Sequence, residues 1–121
     1  MRIAIFLLLT SITFTLQAAD SKGQYAVWGP GQKSCHAYSE AREAGDYDDY
    51  KYFVMGYLTA YNTLTDKTYR ISGDKNFDQI LEWLDNYCEP KAVHSFEQAV
   101  ASFIVDSHES RLTRPASQYQ R

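Results

Sequence analysis

The sequence is short of cysteine, of positive charge and of long apolar runs. Two cysteines in 121 residues are too few for a disulfide-dense miniprotein. Twelve Lys and Arg stand against 15 Asp and Glu, a formal net charge of −3. That balance argues against a nucleic-acid partner, which selects a basic face. The longest apolar run, Ile3 to Leu16, covers 14 residues, short of the ~20 that a membrane-spanning helix needs. There is no G-x-S-x-G, no H-E-x-x-H and no Gly-rich phosphate loop, so the familiar signatures of hydrolases, metalloproteases and nucleotide binders are missing. Beyond the apolar head no stretch alternates as a strand would. What remains is 45% apolar and 22% charged, the composition of one globular domain.

The head of the chain reads as an address. Met1-Arg2 is basic, Ile3 to Leu16 is apolar apart from Thr and Ser, and Gln17-Ala18-Ala19 brings small residues before Asp20. Basic, apolar, small is the order of a secretory signal peptide, expected over residues 1–18. No Cys follows the run, which argues against a lipid anchor at that cut. Export to the periplasm sets an oxidising context, where Cys35 and Cys88, the only two cysteines, are expected to pair. The clamp would enclose 54 residues.

Four helical segments follow an extended leader at residues 19–33, in which Tyr25, Val27 and Trp28 are candidate anchors onto the core. Ser34 is placed to cap a first helix that Gly45 would stop. Asp46, Asp48 and Asp49 open the second, which carries Tyr50, Phe53, Val54, Tyr57, Leu58 and Tyr61 at helical spacing. Gly56 interrupts that helix, and a close helix crossing is the expected compensation. A polar segment from Thr63 to Lys75 is expected to loop over the surface, with a short turn around Tyr69 to Ile71. Asn76 with Gln79 opens the third helix, whose stripe is Phe77, Ile80, Leu81, Leu84, Tyr87 and Cys88, and Pro90 closes it. Ser95 with Gln98 opens the fourth, with Phe96, Ala99, Val100, Phe103 and Ile104 inward. The expected fold is all-α: a compact bundle of about four helices over residues 34–110, clamped by one long-range disulfide whose geometry is sensible if the first and third helices lie antiparallel. A basic tail, residues 111–121, is expected to be mobile. Without head and tail the body holds 8 basic and 15 acidic residues, a net −7.

Candidate chemistry is sparse. Cys35, His36, Cys88 and His94 would make a zinc set if they converged, but neither Cys has a C-x-x-C partner. The disulfide reading is therefore favoured, and no metal or cofactor is expected. Glu40, Glu43, Asp85 and Glu89 offer a carboxylate pair for a small hydrolase, though 15 acids on a short chain produce such pairs by chance. Arg42 is expected to pair with one carboxylate of the body. Ten tyrosines occur, five of them between Tyr47 and Tyr61. Tyr50, Tyr57 and Tyr61 fit the inward stripe. Tyr47 and Tyr52 fall off it and are candidate partner contacts, since Tyr is enriched at interfaces. Trp83 is either core or partner anchor. Asn62 and Asn86, each beside an aromatic residue near a helix end, either cap or cross-link helices by hydrogen bonds or line a small polar site.

Cys35 with Glu40-Ala41-Arg42, then Gly56-Tyr57-Leu58-Thr59-Ala60-Tyr61-Asn62, then Ile80-Leu81-Glu82-Trp83-Leu84-Asp85-Asn86-Tyr87-Cys88, then Phe96 to Phe103 together resemble small exported bacterial helical proteins. In layout the chain is similar to the HdeA-type periplasmic acid-stress chaperones and to the Tai-type immunity proteins of type VI secretion. The first resemblance implies a dimer that opens in acid and binds unfolded periplasmic clients, with Cys35 and Cys88 at that family's single bridge. The second implies a periplasmic partner that blocks a cell-wall-degrading toxin. Neither brings catalytic residues. The leading expectation is a non-enzymatic periplasmic protein-binding module of inhibitor or immunity type, its acidic body steered toward a basic wall-degrading enzyme.

Overall fold

Each helix begins and ends where its local chemistry directs. A computed structural model describes residues 19–115; the expected signal peptide, 1–18, and tail residues 116–121 lie outside that range. Helix α1 spans Cys35–Ala44. Ser34 Oγ accepts the Ala37 amide at 3.2 Å, and Gly45 closes the helix in the left-handed region at φ 72°. There a side chain would be strained and glycine is not. Helix α2 spans Asp48–Leu64, with Asp48 and Asp49 in its first turn facing the positive helix end. Helices α3 (Phe77–Cys88) and α4 (Phe96–Ser107) both open on complete capping boxes. In each, the cap side chain accepts the third amide while the third residue's amide oxygen accepts the cap N–H.

The fold is the expected all-α one: four helices and no strand among the described residues, with Cys35 bonded to Cys88. The bond joins the start of α1 to the end of α3 across a Cα–Cα distance of 5.0 Å. Further along α1, Tyr38 and Arg42 both reach back to Asp85, so the two helices run antiparallel.

Helix α4 is the axis of the core. It buries Phe96, Ala99, Val100, Phe103 and Ile104, the whole expected face. The Phe96 ring lies 4.4 Å from Tyr38, 4.9 Å from Tyr50 and 6.0 Å from Phe53, which joins α1, α2 and α4 in one aromatic cluster. Clustered rings gain from edge and offset geometry beyond the area that they bury. The N-termini of α1 and α4 are also tied by backbone: Cys35 N donates to His94 O at 2.8 Å and Phe96 N to Lys33 O at 2.7 Å.

Five expectations change. The leader is not extended throughout, because Gly29–Gln32 forms a 3-10 turn that packs on α2 and α4. Within that turn Gly31 is buried, and a Cβ there would collide with Phe53 and Val27. Trp28 does not anchor to the core; it is 82% exposed. Gly56 makes no close crossing, for nothing lies within 4 Å of where its Cβ would be. The close approach falls at Gly31 instead.

The Thr63–Lys75 loop is not wholly superficial either. Ile71 is fully buried and its amide donates to Asn62 Oδ1 at 2.8 Å. The expected tail also begins docked: Arg70 and Leu112 exchange backbone hydrogen bonds of 3.1 and 3.0 Å, and Arg111 Nε donates to Thr68 Oγ1 at 3.1 Å.

Candidate functional site

The least expected side chain is Glu97, in the first turn of α4 and only 3% exposed. A buried carboxylate must be hydrogen-bonded to be tolerated. Two tyrosines from different elements supply those bonds. Tyr57 Oη, on α2, donates to Oε1 at 2.6 Å. Tyr25 Oη, on the leader, lies 3.2 Å from both carboxylate oxygens. Burial raises both phenols above their usual range, and the Glu97 hydrogen bond and charge add to it. Both hydroxyls therefore stay protonated and remain donors to Glu97 across the physiological range.

Above Glu97 lies a groove of about 370 Å³ between the leader and α2. Its walls are Tyr25, Trp28, Tyr52 and Tyr57, and Gly56 leaves its α2 side open. Tyr52 is 67% exposed and Tyr25 61%, so both rings are accessible to solvent.

A second groove, of about 520 Å³, shares Tyr25 and runs along α3 and α4 past Trp83, Tyr87, His94 and Val105. Trp83 stacks on Tyr87 at 5.6 Å, meets Phe103 edge-on at 5.3 Å and donates Nε1–H to Asp106 at 3.1 Å. It is thus a core contact that also forms part of the groove wall. Tyr87 Oη pairs with His94 Nδ1 at 2.9 Å.

The expected contact residues divide between these grooves and other places. Tyr52 and Trp83 line one groove each, joined through Tyr25. Tyr47 does not join them. Its ring lies under the Arg42 guanidinium at 4.5 Å and near Lys51 Nζ at 5.1 Å. Asn62 ties the end of α2 to the Ile71 loop and not to another helix, and it also lines a polar groove with Thr65, Asp66 and Thr113. Asn86 is exposed on α3, away from both grooves.

Around Tyr47 a third groove carries His36, Glu43, Asp85 and Glu89, three of the residues weighed for acid–base chemistry among them. Asp85 is engaged there. Arg42 grips it with two bonds, Nε to Oδ1 at 2.9 Å and Nη2 to Oδ2 at 2.7 Å, and Tyr38 donates to Oδ1 at 2.7 Å. A forked guanidinium–carboxylate pair fixes geometry as well as charge, so Asp85 brackets α1 to α3. Glu40 faces His36 at 3.5 Å on the surface. With Cys35 and Cys88 in a disulfide, neither supplies a thiolate to a zinc set. No group of three or more His, Cys, Asp and Glu is placed to hold a metal among the described residues.

Sequence reasoning missed Glu97 and gave Trp28 the wrong task, whereas Tyr25 does tie the leader to α4 through its bond to Glu97. A Glu two residues after an N-cap is an ordinary helix-start residue, which hides a buried role. Periodicity did hold a signal: Glu97 stands three and seven positions before the inward Val100 and Ile104, which places it at the edge of the buried face of α4. Comparison with family models, curated proteins and solved structures finds no match for the chain.

Proposed function

We propose that this protein is a non-enzymatic protein-binding module acting in an oxidising, periplasmic compartment, as an inhibitor or immunity-type partner. The observation that carries the reading is the pair of open aromatic grooves meeting at Tyr25, with Trp28 82% exposed between leader and α2. Exposed large apolar side chains grouped in one patch mark interaction surfaces, and Trp and Tyr dominate the binding energy of such surfaces. The Cys35–Cys88 bond supports the compartment. The net −7 body supports a basic partner, because opposite charge speeds encounter.

The test is capture of a partner from periplasmic extract on the immobilised protein. A stoichiometric basic protein is expected at low and moderate salt. Trp28→Ala and Tyr52→Ala should each weaken its retention by about tenfold or more if they are central contacts. Recovery of no stoichiometric partner, or equal retention by both variants, counts against the proposal.

A further inference from the structure

The groove above Glu97 has a chemistry of its own. Five aromatic rings line it, Phe53 among them, Glu97 adds a buried carboxylate, and Ala26 and Val27 are apolar. We propose that this groove is a binding site for an organic cation, the ammonium or guanidinium head of a Lys or Arg side chain carried by a protein partner.

Three observations converge on it. First, no Lys, Arg or His of the described residues forms an ion pair with Glu97. The N-terminus of α4 offers it roughly half a positive charge, so the buried carboxylate remains short of a full counter-charge. Second, Tyr57 and Tyr25 both direct their hydroxyl hydrogens at Glu97. Each phenol oxygen is polarised by that bond and keeps lone pairs free to accept an incoming N–H. Third, aromatic faces attract cations, most strongly where water is partly excluded. The Gly56 side stays open because no Cβ intrudes, and the apolar lining suits the methylene stem behind a basic head. A hard metal ion would want several charged or carbonyl oxygens, and the groove presents one carboxylate already bonded to two phenols.

The inference rests on the protein-binding reading for the source of the cation. The site itself is tested without a partner. The purified protein is titrated with N-acetyl-lysine methylamide and N-acetyl-arginine methylamide, with the neutral N-acetyl-norleucine methylamide and with tetramethylammonium, following the Trp28 indole N–H by NMR. At least one basic amide is expected to bind saturably with a Kd on the order of millimolar, and the norleucine amide at least about tenfold more weakly. Glu97→Gln is expected to weaken the basic amide about tenfold, and Trp28→Leu about three- to tenfold. Trp28 is so exposed that its substitution leaves the core intact, and it decides the matter if circular dichroism shows that Glu97→Gln fails to fold. Equal binding of the norleucine amide, unchanged binding by a folded Glu97→Gln, or no saturable shift overturns the site. Tighter binding of tetramethylammonium than of either amide overturns the side-chain source. A failed titration beside a successful partner capture overturns the cation site alone, whereas a working titration beside a failed capture overturns the protein-binding reading.

Discussion

At Glu97 and Tyr57, two residues 40 positions apart meet in one hydrogen bond of 2.6 Å. Removing the phenol leaves a buried carboxylate short of a donor, and that penalty exceeds the net worth of the bond itself. Tyr57→Phe is expected to cost about 1–3 kcal/mol, read as a lower urea midpoint at unchanged slope. The glycines give a paired prediction. Gly56→Ala should raise stability by about 0.5–1 kcal/mol, since its Cβ enters open space on a helix. Gly31→Ala should lower it, because the same methyl would meet Phe53 and Val27. Opposite shifts in thermal midpoint check both. The sequence marked Gly56 as unusual, and the inward stripe through Tyr50, Val54 and Leu58 already left it off the covered face of α2. Gly31, inside a Gly-Pro-Gly run, looked like an ordinary loop residue.

At the scale of elements, capping was the most legible feature. Asn76/Gln79 and Ser95/Gln98 are local patterns, and a local hydrogen bond needs no knowledge of the fold. Ser95→Ala should cost about 0.5–2 kcal/mol, seen in denaturant unfolding. The inward stripes of α3 and α4 were legible for the same reason, as period alone reveals a face. The Gly29–Gln32 turn and the plug at Ile71 were not. Each is a short segment without period, and its burial depends on distant partners: α2 and α4 for the turn, Asn62 for the Ile71 amide.

For the whole molecule, the Cys35–Cys88 bond closes a loop that spans three of the four helices. The chain-entropy model assigns such a loop about 4 kcal/mol, against a total stability of about 5–15 kcal/mol for a small domain. Reduction should therefore lower the thermal midpoint sharply, measured with and without reductant. High pH acts on the same body. Burial, with hydrogen bonds to Asp85 and Glu97, raises the Tyr38 and Tyr57 phenols above their usual value of 10.0. The folded state holds these protons more tightly than the unfolded one, so their contribution is complete below pH ~10 and falls as pH rises beyond it. Alkaline titration by far-UV circular dichroism should show destabilisation starting near pH ~10 and reduced in Tyr38→Phe and Tyr57→Phe once their lower starting stability is subtracted.

The sequence by itself determined the helices, their caps, the inward stripes and the only available cysteine pairing, because each depends on neighbours within a turn or two or on simple count. It also set Tyr52 off the inward stripe of α2, and Tyr52 is 67% exposed. Tertiary structure alone decided that Tyr25 crosses to α4, that Glu97 is sealed beneath two phenols, and that Arg42 selects Asp85 from 15 acids. Those choices pair residues 40 or more positions apart. Side chains with the same local pattern are equivalent until the packed helices bring a few of them within hydrogen-bond reach.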